Sequence, residues 1–365
     1  MLKINIITEG LKSYNGIAFL TPIVKNFRNF KSLGLKFGFF TSIKDDVYDC
    51  DILIIESKFY ANLKKNYGIE KVLDVFDELK NKSKKLLFFD LGDGSSAWAL
   101  DVLPFVDSYF KSYVYKNVNL YKEKFYGSRI WSDFYYRKFG IEDEVTSFSN
   151  VVDEKYLYKI KMSYNSSLAD YSLSSNLYNS KYLKYTKNVF NIGKFFLNYP
   201  NLNSFKRPYI NKEHNVSCRM NLKYTSRGVA YHRELAAQKL QKYLKHDKLS
   251  RELYFNEMSN SKIVVSPFGW GEVNYKDYEA ILCGSLLLKP DMSHLKTYPN
   301  YFDYDKVLFY QWDYSDIDEK INDAIMNYEK YVEYAIDTQN LYKYYLFDTK
   351  AQEEFSKYFY GLIND

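Results

Sequence analysis

The residues best placed to do chemistry in this chain lie between Ser261 and Ser293, in the run SKIVVSPFGWGEVNYKDYEAILCGSLLLKPDMS. Pro267, Gly269 and Gly271 break the chain into a turn, and its glycines let the backbone come close to an anion. At 3.6 residues per turn, Glu272, Lys276, Glu279 and Cys283 then share one stripe of a helix, with Tyr275 beside it. A cation one turn into a helix can reach a diphosphate held at the helix N-terminus. A carboxylate one turn further on can accept hydrogen bonds from two sugar hydroxyls, as acidic residues do for ribose in nucleotide folds. The plain alternative is a surface helix carrying ordinary ion pairs at i,i+4 and i,i+3. The flanking segments favour binding, because a surface helix has no need of them.

Those flanking segments are the elements that must position the stripe. Ile263–Val265 is a short unbroken apolar run, as a buried parallel strand requires. A helix is predicted from Val273 to Cys283, Gly284 supplies its stop, and Leu286–Leu288 reads as a second buried strand. The result is a βαβ unit with a glycine-rich turn.

The segment from Pro267 to Gly284, PFGWGEVNYKDYEAILCG, followed by LLLKPDMSH to His294, resembles the donor site of exostosin-like GT-B glycosyltransferases. The likeness is greatest to bacterial members found among capsule and lipopolysaccharide synthesis enzymes, and it covers about a tenth of the chain. Members carry Gly-x-Gly, then Tyr-Arg, then Glu-Ala and a Gly before the next strand. The resemblance implies two Rossmann-like domains facing a cleft, with C-terminal helices returning to the first domain. It also implies Lys276 on the donor diphosphate and Glu279 on the ribose. Lys in place of Arg keeps the charge and loses the bidentate fork. Retaining GT-B enzymes carry a second Glu eight residues before the ribose Glu. Gly271 stands there in this chain, so inversion is the expectation. In this fold the first βα turn of the second domain faces the donor phosphates. Arg219, His232 and Arg233 therefore join Gly269, Gly271, Glu272 and Tyr275 as donor-binding candidates. An inverting transferase needs a general base for the acceptor hydroxyl, and Asp93 and Glu9 are the rivals. No metal is expected: the four histidines lack i,i+4 spacing, and Asp303-Tyr-Asp305 reads as a loop. The nucleotide-sugar is a co-substrate, and no cofactor is implied.

The rest of the chain fits this frame. Residues 1–205 read as an α/β first domain, with buried strands at Ile4–Ile7, Leu35–Phe40, Ile52–Ile55 and Leu86–Phe89. Turns follow the first strand (Thr8-Glu9-Gly10 to Asn15-Gly16) and the fourth (Asp90 to Ser96), the latter leading into a helix near Trp98. Asp93 and Ser95 there are equally explained as helix caps. Residues 146–205 turn Ser-, Asn-, Tyr- and Lys-rich and read as an insertion between the domains. Their Tyr156, Tyr158, Lys159, Lys161, Tyr182, Lys184, Tyr185 and Lys187 could stack on sugars or meet an anionic membrane surface. Residues 206–345 form the donor domain. It has a strand over 215–219, a helix opening at Tyr231, a last strand over 307–312 and one long helix over 317–346. A final helix in 346–365 packs back on the first domain.

At 365 residues the chain has room for two domains. Three scattered cysteines point to a reducing compartment, no apolar run approaches the ~20 residues of a membrane span, and no signal peptide is legible. A cytoplasmic location follows, with peripheral contact at the inner membrane surface left open. The net charge of +6 is spread, with 51 basic residues set against 45 acidic ones, which argues against a nucleic-acid partner. The expected function is transfer of a sugar from a nucleotide-activated donor to a saccharide or lipid-linked acceptor. The alternative is a non-catalytic module that binds nucleotide-sugar or polysaccharide.

Overall fold

The structure is a computed structural model that describes residues 1–96, 99–175 and 197–365. The first half comprises β1 (Leu2–Ile7), α1 (Tyr14–Lys25), α2 (Phe27–Ser32), β2 (Leu35–Phe40), β3 (Ile52–Glu56), α3 (Ser57–Lys82), β4 (Leu86–Asp90), β5 (Ser108–Lys111), β6 (Tyr113–Tyr115), α4 (Ile130–Phe139) and β7 (Ile160–Met162). The second comprises β8 (His214–Ser217), α5 (Arg227–Lys239), α6 (Arg251–Ser259), β9 (Ser261–Val265), α7 (Tyr275–Leu282), β10 (Leu286–Pro290), β11 (Leu295–Thr297), β12 (Leu308–Tyr310), α8 (Ile317–Met326), α9 (Tyr328–Phe347) and α10 (Thr349–Asn364).

Two parallel sheets result. The first has six strands in the order β2-β1-β3-β4-β5-β7, the second four in the order β12-β10-β9-β8. The runs Ile52–Ile55 and Leu86–Phe89 are wholly buried, as strands covered by helices on both faces must be. In the first sheet the chain leaves β1 for β2 on one side and returns as β3 on the other. That reversal leaves a crevice at the carboxyl ends of β1 and β3, where such sheets take ligands. This two-sheet α/β architecture is the fold that the resemblance implied.

Contacts between several elements join the halves. β6 pairs antiparallel with β11. Helix α4 packs on α5, with the Trp131 ring centred 5.4 Å from that of His232. Helix α10 returns to the first sheet, where Phe359 meets Phe30 and Phe37 with ring centres 5.4 and 6.1 Å apart.

Several boundaries differ from the sequence reading. Helix α7 starts two residues late because Asn274 N–H donates to Asp277 Oδ2 at 2.8 Å, closing the first turn there. Helix α5 starts at Arg227, not Tyr231, and ends at Lys239. The long C-terminal helix is two helices, broken at Asn327. Within the expected insertion, β7 is the edge strand of the first sheet. Tyr171 packs its ring 5.1 and 5.0 Å from those of Tyr275 and Tyr278 on α7. Where a helix was expected near Trp98, the described chain from residue 99 onwards makes only a single 3-10 turn, Leu100–Val102, while Trp98 itself, Tyr182, Lys184, Tyr185 and Lys187 lie outside the described residues.

Candidate active site

The carboxyl ends of β1, β3 and β4 face the turn between β9 and α7 across a cavity of about 550 Å³. The first domain lines it with Lys12, Asn15, Lys58 and Asp93, the second with Tyr224, Trp270, Asn274 and Tyr275 and with Gly269 and Gly271.

On the first-domain side the loops are knitted by Glu56 at the end of β3. Its buried carboxylate accepts from Thr8 Oγ1 (3.0 Å), Glu9 N–H (3.2 Å) and Lys58 N–H (2.7 Å). Burial raises its pKa, and the three donors oppose that shift. Asp93 is exposed and stands at the cavity. Its Oδ1 accepts from Asn15 Nδ2 at 3.0 Å, and Asn15 Oδ1 in turn accepts from the Tyr275 hydroxyl of the second domain. The Asp93 loop is tied at its start, where Gly92 N–H donates to Asp90 Oδ1 at 2.8 Å. Asp90 is itself fixed by Lys111 Nζ at 2.8 Å and Tyr109 Oη at 2.7 Å. Glu9 does not line the cavity: its carboxylate takes Asn62 Nδ2 at 2.8 Å and has Lys12 Nζ 3.5 Å away.

Gly271 is sterically required by backbone, and Gly269 is crowded by side chains. A methyl at Gly271 would sit 1.2 Å from the Asp93 carbonyl oxygen, and one at Gly269 would sit 2.7 Å from Asn274 Oδ1. Directly behind Gly269 lies Arg233, which is 8% exposed. Its Nε donates to the Phe268 carbonyl at 2.7 Å and its guanidinium lies 5.3 Å from the Tyr224 ring centre. Lys276 donates to the Arg219 carbonyl, and burial pushes its ammonium pKa down to about 8. Among the described residues neither cation has a carboxylate within ion-pair distance. A buried charge without a counter-charge is costly, so the site favours an anion brought in from outside.

The other candidates serve within the protein. Arg219 is bound by Glu257 (Nη2–Oε2 2.8 Å) and Asp247 (Nη1–Oδ1 3.0 Å), so its side chain turns from the cavity. Glu279 is 6% exposed and lies 3.4 Å from Arg251 Nη1. Glu272 is buried against Ser95 of the first domain. His232 is fully buried, and burial holds its pKa well below the usual histidine range. Its Nε2 accepts the Phe268 N–H at 3.0 Å, so the proton sits on Nδ1, 2.6 Å from Tyr135 Oη, whose hydroxyl donates to the Trp312 carbonyl. His232 thus braces the turn from behind.

Of the eleven candidates, Asp93, Gly269, Gly271 and Tyr275 line the cavity. Glu9, Arg219, His232, Arg233, Glu272, Lys276 and Glu279 do not. Lys12, Lys58, Tyr224 and Asn274 were missed. Trp270 and Asn15 stood inside motifs already singled out, while Lys58 and Tyr224 carried no sequence signal of their own.

No family model and no curated protein matches the chain. Among solved structures it is similar to HepE of Anabaena in complex with UDP (9% identity, 99% of this chain and 100% of that one, TM-score 0.46). It is also similar to a DNA-modifying β-glucosyltransferase (11%, 100% of both chains, TM-score 0.43). A third is a UDP-forming trehalose-phosphate synthase from Burkholderia xenovorans (12%, 96% and 79%, TM-score 0.43). Identities and scores at this level place the chain in none of these families.

Proposed function

We propose that the protein is a GT-B-type glycosyltransferase, moving a sugar from a nucleotide-activated donor to a saccharide or lipid-linked acceptor. The observation that carries this reading is the cavity between the two sheets. It sets the Asp93 carboxylate opposite the Gly269–Gly271 turn, and Arg233 lies behind that turn with no carboxylate within ion-pair distance among the described residues.

In this mechanism Asp93 takes the proton of the acceptor hydroxyl as that oxygen attacks the anomeric carbon. Asn15 holds the carboxylate on one oxygen and leaves the other for the acceptor. The leaving diphosphate gains charge against the turn, and Arg233 and Lys276 stabilise it through the turn without a metal ion. Attack from the face opposite the diphosphate inverts the anomeric centre. Glu279 would take the ribose only by exchanging or sharing its Arg251 contact. A role in surface polysaccharide synthesis (capsule or lipopolysaccharide), at or near the inner face of the membrane, is the setting in which such a transferase would work. Among the described residues no helix is long and apolar enough to cross a membrane.

The test is a thermal-shift panel of UDP, GDP, ADP, TDP and CMP with and without EDTA, followed by transfer or donor hydrolysis with the matching sugar nucleotide. One stabilising nucleotide, unaffected by EDTA and accompanied by turnover, is the expected result. Absence of any shift sinks the reading. Binding without turnover supports the non-catalytic module.

A further inference from the structure

The Asp93 loop is hydrogen-bonded to the second domain through Ser95. Ser95 N–H donates to Glu272 Oε2 at 3.1 Å and Ser95 Oγ to Glu272 Oε1 at 2.8 Å. Ser95 is 1% exposed and Glu272 fully buried, so both bonds are shielded from water. The first domain holds the same residue from the other side, with Tyr121 Oη donating to the Ser95 carbonyl at 3.1 Å. His294 Nε2 lies 3.9 Å from Glu272 Oε1. Arg129 adds a second tie, donating from Nε to the Trp270 carbonyl at 2.6 Å while its Nη1 donates to the Gly127 carbonyl at 2.6 Å. Glu272 directly follows Gly271, whose α-carbon is packed on the Asp93 carbonyl. Two adjacent residues of the donor turn therefore fix the two ends of the short segment 93–95.

We propose that Glu272 is a positioning residue that registers the Asp93 carboxylate against the donor turn through Ser95, so that the catalytic geometry is assembled only when the two domains are together. This rests on the transferase reading for its consequence, and on the Ser95–Glu272 contact alone for its geometry. A buried carboxylate that accepts two hydrogen bonds from one residue fixes both position and orientation. A shift of about 1 Å in a reacting group can cost ~100-fold in rate. The grip joins residues 177 positions apart in sequence.

The experiment uses the full chain with Ser95→Ala, Glu272→Ala, Glu272→Gln and the double variant Ser95→Ala/Glu272→Ala. Kinetics are measured with the donor found in the nucleotide panel. Glu272→Ala is expected to lower kcat by ~10–100-fold with donor KM changed less than ~3-fold. Glu272→Gln keeps one carbonyl acceptor and recovers part of the loss. The double variant is no worse than Glu272→Ala, because both changes break one interaction. Wild-type kcat in both single alanine variants, or additive losses in the double, overturns the proposal.

The same variants carry spin labels at Lys84→Cys and Met326→Cys, two exposed positions on different domains, in a Cys50→Ser background. The interdomain distance is expected to broaden and lengthen in Glu272→Ala and, less, in Ser95→Ala. Distributions identical to wild type overturn the proposal. If wild type turns over no donor, the transferase reading fails, and the distance measurement still decides whether Glu272 holds the loop. Ser95→Ala leaves the backbone bond in place, so it keeps the test open should Glu272→Ala not fold.

Discussion

Replacing Gly271 by Ala is the sharpest single perturbation of this molecule. The added methyl carbon would stand 1.2 Å from the Asp93 carbonyl oxygen, and real Cβ contacts stay above 3.0 Å, so the two loops must part by at least 1.8 Å. Neither side can yield by turning a side chain, because the obstacle is backbone. A displacement of that size breaks the Ser95–Glu272 pair, whose bonds measure 3.1 and 2.8 Å. Hydrogen bonds to a charged group contribute about 1.5–3 kcal/mol each, so the loss is on the order of 3–6 kcal/mol. For a chain of this size that corresponds to a melting temperature lower by roughly 4–8 °C. Turnover should fall by ~100-fold or more, since Asp93 moves with the loop. Gly361→Ala is the internal control: it lies in α10 with nothing within 4 Å of the added carbon, and should stabilise by about 0.5–1 kcal/mol. Differential scanning calorimetry on the two variants and wild type reads the outcome. A Gly271→Ala protein that melts within about 1 °C of wild type and retains its turnover would refute the reasoning.

Other substitutions test separate parts of the site. Asp93→Asn should lower kcat by ~10²–10⁴ while nucleotide binding stays as in wild type; undiminished turnover removes Asp93 as the base. Lys276 has its pKa pushed down to about 8, so nucleotide diphosphate affinity should weaken as pH rises through 8, and Lys276→Met should bind weakly with no such dependence in titration calorimetry. His232 is neutral when folded, its pKa held well below 6.5 by burial, while the unfolded chain protonates near 6.5. The unfolded state therefore binds more protons below that value, and stability is lost as pH falls there, by up to about 1.4 kcal/mol per unit. Urea unfolding of wild type between pH 5 and 7 should show this slope, and His232→Gln should lack that histidine's share of it. Equal slopes in the two proteins would place the pH dependence elsewhere.

The sequence by itself determined most of the secondary structure. The runs Ile52–Ile55 and Leu86–Phe89 of the first domain and the two around the glycine-rich turn are legible because a strand covered on both faces is apolar along its length, whereas Leu35–Phe40 is a partly exposed edge strand. The glycine-rich turn was legible as a break in the apolar pattern, although the demand for Gly271 comes from the Asp93 carbonyl packed on it from the other half of the chain. The break at Asn327 was not, since apolar periodicity continues on both sides of it. What only the tertiary structure decided is which charges face the cavity. Helical spacing put Glu272, Lys276 and Glu279 on one stripe, yet the partners that engage them come from far along the chain. Ser95 takes Glu272, Arg251 pairs with Glu279, and the Arg219 carbonyl receives Lys276. Arg219 looked like a phosphate ligand until Glu257 and Asp247 engaged it. Long charged side chains reach whichever counter-charge folding brings near, so their roles are set by contacts between distant segments. The spacing of residues along one helix fixes only the direction in which they start out.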